Sequence, residues 1–78
     1  MNQKELAQHI RKEFGLPYTY SYEIIQKLLN KIVLELKNEN RVRLRNFGTF
    51  EARQSHGKVR AKFNDSKNIF KSYGQKEI

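Results

Sequence analysis

The sequence predicts an α+β fold: two amino-terminal helices, a small antiparallel β-sheet with a short hairpin, and a short carboxyl-terminal helix. Three observations carry that reading. Apolar residues recur with a helical period up to about residue 37 and with a period of two after residue 40. Glycine, proline and asparagine stand where the period resets. The charge is uneven: of 16 Lys and Arg against 8 Asp and Glu, residues 1–40 hold six basic and five acidic groups, and residues 41–78 hold ten basic and three acidic ones. The cationic excess therefore belongs to the β-rich half, where it points to a polyanionic partner.

Asn2 followed by Glu5 is a capping-box pattern and starts the first helix. Leu6, Ile10 and Phe14 lie along one face, and the helix stops at Gly15, Leu16 and Pro17: glycine accepts the left-handed cap and proline blocks continuation. The second helix is expected to open near Thr19 as N-cap, with Pro17 as a first-turn residue the alternative, and to run to about Lys37. Its apolar residues, Ile24, Ile25, Leu28, Leu29, Ile32, Val33 and Leu36, spread over an arc of about 180°, wider than a helix covered on one side presents. A chain of 78 residues has little else to cover it with, and a lone chain of this size hides only about 60–65% of its unfolded surface. A homodimer follows, with Ile25, Leu28, Leu29, Ile32, Val33 and Leu36 joined by Phe47, Phe50 and Phe63 in the shared core.

Beyond residue 40, Val42 and Leu44 alternate with Arg41, Arg43 and Arg45 in a first strand, the arginines outward. Asn46 and Gly48 flank Phe47 in a reversal, and a second strand follows. His56-Gly57 suits a two-residue type I′ turn, which sets Ser55 opposite Lys58 and fixes every later pair. Phe50, Ala52, Val59, Ala61 and Phe63 then form an apolar face, with Glu51, Arg53, Lys58, Arg60 and Lys62 on the other. Glu51 opposite Lys62 is a favourable pair. Arg53 opposite Arg60 is repulsive by some tenths of a kcal/mol up to about 1, and a phosphate backbone reverses that sign. A third helix is expected over residues 64–74, with Asn64, Asp65 and Ser66 as candidate caps, Ile69, Phe70 and Tyr73 as its apolar side and Gly74 as its end. Its amino terminus, beside Lys67, is a second place for a phosphate.

Several classes fall away. Without cysteine there is neither a disulfide framework nor a thiolate metal site, and two histidines without clustered carboxylates make a poor cage, so no metal or cofactor is expected. No apolar run approaches the roughly 18 residues of a membrane span, and the amino terminus lacks a signal-peptide core. His9 and His56 are not grouped with a nucleophile, so an enzyme with a small-molecule substrate is not expected. A helix-turn-helix reader is disfavoured: the second helix is too long and its Lys27 and Lys31 have Glu23 and Glu35 four residues away.

The chain resembles the HU and IHF family of bacterial histone-like DNA-bending proteins. "NFGTF" at 46–50 is the centre of the likeness, preceded by two helices of suitable length and "RVRLR"; "KFNDSKNIFKSY" at 62–73 is similar to the family's closing segment, with Phe63 at its core phenylalanine and Lys67 at a basic position. The resemblance implies an intertwined homodimer in the cytoplasm, associated with the nucleoid, whose β-ribbons reach for DNA and wedge apolar residues between base steps. Two features depart from the family. Its long ribbon with a proline near the tip is absent, the only proline being Pro17, and Asn46 replaces the usual glycine. The expectation is one domain over residues 1–78, with a helical dimerisation part (1–40), a sheet and short arm (41–63), a closing helix (64–74) and a tail (75–78). It would bind double-stranded DNA without sequence preference and in a salt-dependent manner, with weak bending. Arg53, Lys58, Arg60 and Lys62 would meet phosphates, with Lys67 as a side clamp. The alternative is an interaction module that kept the fold and lost most DNA binding.

Overall fold

The computed structural model describes residues 1–71. Along them run α1 (Gln3–Phe14), α2 (Tyr18–Lys37), β1 (Val42–Leu44), β2 (Gly48–Ser55) and β3 (Lys58–Asp65). Contacts group the chain into two compact units, one from Met1 to Lys31 and one beginning at Ile32. No helix among the described residues is long and apolar enough to cross a membrane.

In the first unit, the capping box forms as read. The Glu5 amide donates to Asn2 Oδ1 at 2.9 Å, and the Asn2 amide donates to Glu5 Oε1 at 3.3 Å. Two amides that the helix cannot satisfy are thereby bonded, an arrangement worth about 1 kcal/mol at the cap residue. At the other end Gly15 sits at φ 66° and donates to the Arg11 carbonyl at 2.8 Å. The start of α2 differs from expectation. Pro17, not Thr19, is the residue before the helix: its carbonyl accepts the first helical bond from the Ser21 amide, and the Ser21 hydroxyl donates to the same oxygen, both at 3.0 Å. Proline has no amide to leave unbonded and its φ already suits a helix start, so Thr19 falls inside the first turn. Gln3 Nε2 donates to Gln26 Oε1 at 3.0 Å, and Gln26 Nε2 to Asn30 Oδ1 at 2.9 Å, tying the start of α1 to α2. The fully buried side chains of this unit are both small, Ala7 and Ser21.

In the second unit, the end of α2 closes in a Schellman arrangement. The Glu39 amide donates to the Leu36 carbonyl at 3.0 Å and the Asn40 amide to the Glu35 carbonyl at 2.9 Å, which places Glu39 at φ 61°, a backbone conformation glycine adopts more cheaply. The sheet is antiparallel with order β1-β2-β3. Every β2–β3 pair read from the hairpin turn is present, from Ser55 with Lys58 to Phe50 with Phe63, and His56 and Gly57 have φ of 51° and 77°, as a type I′ turn requires.

The ladder continues past the expected pairs through Thr49–Asn64 and Gly48–Asp65. The strand therefore takes Asn64 and Asp65, where a helix was expected to begin. Ser66 is left as the cap-forming residue: its hydroxyl accepts from the Asn68 amide at 3.1 Å, and its carbonyl from the Ile69 amide at 3.1 Å. Residues 67–70 are turns rather than helix, and the last part of the expected helix, with Tyr73 and Gly74, lies outside the described residues.

Phe47, Phe50 and Phe63 meet at the root of the hairpin, with ring centroids 5.0, 5.1 and 6.4 Å apart. Gly48 is the residue that lets them do so. A Cβ there would lie 2.6 Å from the Asn64 backbone oxygen and 2.5 Å from the Phe63 ring. Asn46, at φ 63°, makes the reversal between β1 and β2, which the Phe47 amide closes on the Leu44 carbonyl at 3.0 Å. Asparagine tolerates that left-handed geometry where most side chains do not.

Candidate nucleic-acid interface

Successive side chains of a strand point to opposite faces, so the register decides which cations share a surface. On β2 and β3 one face carries Glu51, Arg53, Lys58, Arg60, Lys62 and Asn64. Arg53 and Arg60 are direct partners, which puts their Cβ atoms about 5 Å apart. Arg53, Lys58, Arg60 and Lys62 are all exposed, and β2 passes from half-buried to exposed at Arg53.

The register of β1 adds a residue that the sequence alone left outside this group. Arg43 pairs with Thr49, and so lies on the same face as the hairpin cations. Leu44 pairs with Gly48 and Val42 with Phe50, on the apolar face. Arg41 lies just before β1 and lines a shallow groove with residues of both faces, among them Glu51, Ala52, Arg53 and Val59, and Arg45 belongs to the reversal. Lys67 is exposed but sits in the turn after β3 rather than on a strand. The structure thus brings together four of the five expected basic positions, adds Arg43, and leaves Lys67 apart.

The expected pair between Glu51 and Lys62 is not formed as an ion pair. Glu51 Oε2 accepts from Asn64 Nδ2 at 2.6 Å, and the sole ion pair among the described residues is Lys27 with Glu23, at 4.0 Å in α2. A neighbouring amide has taken the carboxylate that cross-strand pairing assigned to Lys62. The cations of this face consequently have no acidic partner among the described residues.

The other face is apolar, as read, but its own chain does not cover it: Val59 near the tip is 68% exposed. The nine residues expected to share a core with a second copy behave alike. Leu28, Leu29, Val33, Phe47 and Phe63 are exposed, and Ile25, Ile32, Leu36 and Phe50 are half-buried. None is fully buried within one chain.

A family model described as bacterial DNA-binding protein matches residues 1–70. Among solved structures, the chain is similar to the V42I mutant of HU from Thermotoga maritima, with 26% identity and a TM-score of 0.81 over 94% of this chain and 99% of that one. HU from Thermotoga maritima itself is 27% identical, with a TM-score of 0.77 over 94% and 98% of the two chains. The HU of an Anabaena HU–DNA cocrystal has the same fold at 17% identity, with a TM-score of 0.80 over 94% and 97%. No curated protein matches the chain.

Proposed function

The chain belongs to the HU family of bacterial DNA-binding proteins, and on that premise we propose that two copies pair through their apolar surfaces and bind duplex DNA by its phosphates across the cationic sheet face. The observation that carries the reading is Arg53 directly opposite Arg60, with no carboxylate paired to either among the described residues. Like charges so placed are unfavourable in water and become favourable against a polyanion. Lys58 and Lys62 extend the face along the hairpin and Arg43 extends it onto β1. Lys67 remains a candidate for a flanking phosphate contact. Pairing of two copies is supported by the nine apolar residues of α2 and the phenylalanine cluster that a single chain leaves accessible.

Strong bending is not expected. β2 is half-buried as far as Ala52, so about three residues per leg project, roughly 10 Å at ~3.3 Å per residue. The tip is His56-Gly57 and carries no apolar wedge. We read the protein as an architectural component of the bacterial nucleoid, in the cytoplasm, that binds without sequence preference. The short hairpin also favours a second reading, an interaction module with the same fold and little DNA affinity.

Titration of two unrelated duplexes over a range of salt separates them. Phosphate binding gives equal affinities for both duplexes and a log–log slope of about −0.9 per phosphate contacted, up to about −9 if five cations on each of two chains take part. A flat salt response leaves the interaction module.

A further inference from the structure

Among the described residues Glu51 is the one carboxylate on the cationic sheet face, and its surroundings make it a competitor for the site. Lys62 stands directly opposite it, Arg53 is two residues along the same strand, and Arg60 and Arg43 lie one diagonal step away on β3 and β1. A free carboxylate there would pair with one of these cations and occupy it before any phosphate arrived. It does not. Asn64, on the other diagonal, donates its Nδ2 hydrogen to Glu51 Oε2 at 2.6 Å. No Lys or Arg nitrogen comes within ion-pair distance of Glu51 among the described residues.

We infer that Asn64 is a positioning residue for polyanion binding: by holding the Glu51 carboxylate, it keeps Lys62 free for a phosphate. The inference deepens the proposed function and rests on it, since Lys62 has to be a phosphate contact for its freedom to matter. The balance of forces supports it. An exposed ion pair gains little over water because both side chains stay hydrated and lose rotamer freedom. A hydrogen bond from an amide to an ionised carboxylate is stronger than a neutral one, and here donor and acceptor sit on adjacent strands of a fixed ladder. Asn64 carries no charge, so it restrains the acid without adding a cation of its own. Removing it would let Glu51 swing to Lys62, its direct partner in the register.

A double-mutant cycle on duplex binding tests this. Asn64→Ala is expected to weaken binding about three- to tenfold and to lower the salt slope by at most about 0.9 per chain, because Lys62 is drawn part of the time to Glu51. Glu51→Gln alone is expected to strengthen binding. In the Glu51→Gln background, Asn64→Ala is expected to change neither affinity nor slope, since no carboxylate is left to restrain. An equal loss from Asn64→Ala in both backgrounds would show that Asn64 acts on DNA directly and would overturn the inference, as would no change in either. Lys62→Gln separates this failure from a failure of the function itself. If Lys62→Gln weakens binding and Asn64→Ala does not, only the positioning role falls; if Lys62→Gln leaves binding intact, Lys62 is no phosphate contact and the premise falls with it. The Asn64–Glu51 bond is exposed, so thermal melts of the variants should stay close to that of the parent protein.

Discussion

Lys27 on α2 and Arg53 on β2 are both exposed cations, yet the chain treats them in opposite ways. Lys27 has Glu23 one helical turn away, with Nζ and Oε1 4.0 Å apart. Arg53 has another arginine, Arg60, directly across the ladder. The helix sets this cation against a carboxylate of its own surface. The hairpin leaves its charge unbalanced and even turns the acid of its cationic face, Glu51, onto an uncharged amide. Charge count separates the two halves of the chain but does not say which cations share a surface. Placement does, and an unbalanced row of cations on a fixed ladder is stable enough to persist and becomes favourable when an anion covers it.

The contrast can be broken at several levels. The largest effect is expected from Leu29→Asp in the apolar arc of α2. If a second copy covers that arc, a buried carboxylate without a partner costs several kcal/mol, and the dimer should be lost together with the fold. Sedimentation and far-ultraviolet circular dichroism would report both; a folded, stable monomer would remove the second copy from the account. Gly48→Ala comes next. Its added Cβ meets backbone oxygen on Asn64 and the Phe63 ring, so the hairpin root must shift. A loss of about 1–3 kcal/mol is expected in denaturant unfolding.

Glu39→Gly should act in the other direction. Glu39 holds a left-handed φ of 61° at the end of α2, and glycine there should stabilise by up to about 1 kcal/mol, with duplex affinity unchanged. The smallest effect belongs to Lys27→Gln, which removes an exposed helical pair worth about 0.3 kcal/mol and should leave duplex affinity and its salt slope nearly unchanged. A large loss of affinity there would move the anion-binding surface to the helix and erase the contrast.

Much of the hairpin was legible in the sequence because its information is local. A two-residue turn at His56-Gly57 fixes one pair, and strict alternation fixes the rest. The first helix was legible for the same reason, with Asn2, Glu5 and Gly15 each making a bond to a near neighbour. The start of α2 was not, because its first acceptor is the backbone carbonyl of Pro17 rather than a recognisable capping side chain. Arg43 was read as outward but left off the phosphate face, because its face depends on how β1 docks on β2, which a reversal around the left-handed Asn46 decides. Glu51 was misassigned for a related reason. Pairing rules favour the direct neighbour, Lys62, whereas the side chains chose the diagonal one, Asn64. A helix start was read at Asn64 and Asp65 because three residues in a row were competent caps, while Gly48 and Thr49 offered the strand two further ladder partners.

The central claim, that the hairpin cations are held for phosphate, is tested most directly by the salt dependence of duplex binding for Arg60→Gln beside the parent protein. The expected result is a weaker complex on every duplex sequence and a salt slope smaller by about 2 per dimer. The free protein should be unchanged or up to about 1 kcal/mol more stable, since one of two facing like charges is gone. An unchanged affinity and slope, with reduced stability, would mean that Arg60 supports the sheet and that the cationic face is not a DNA-binding surface.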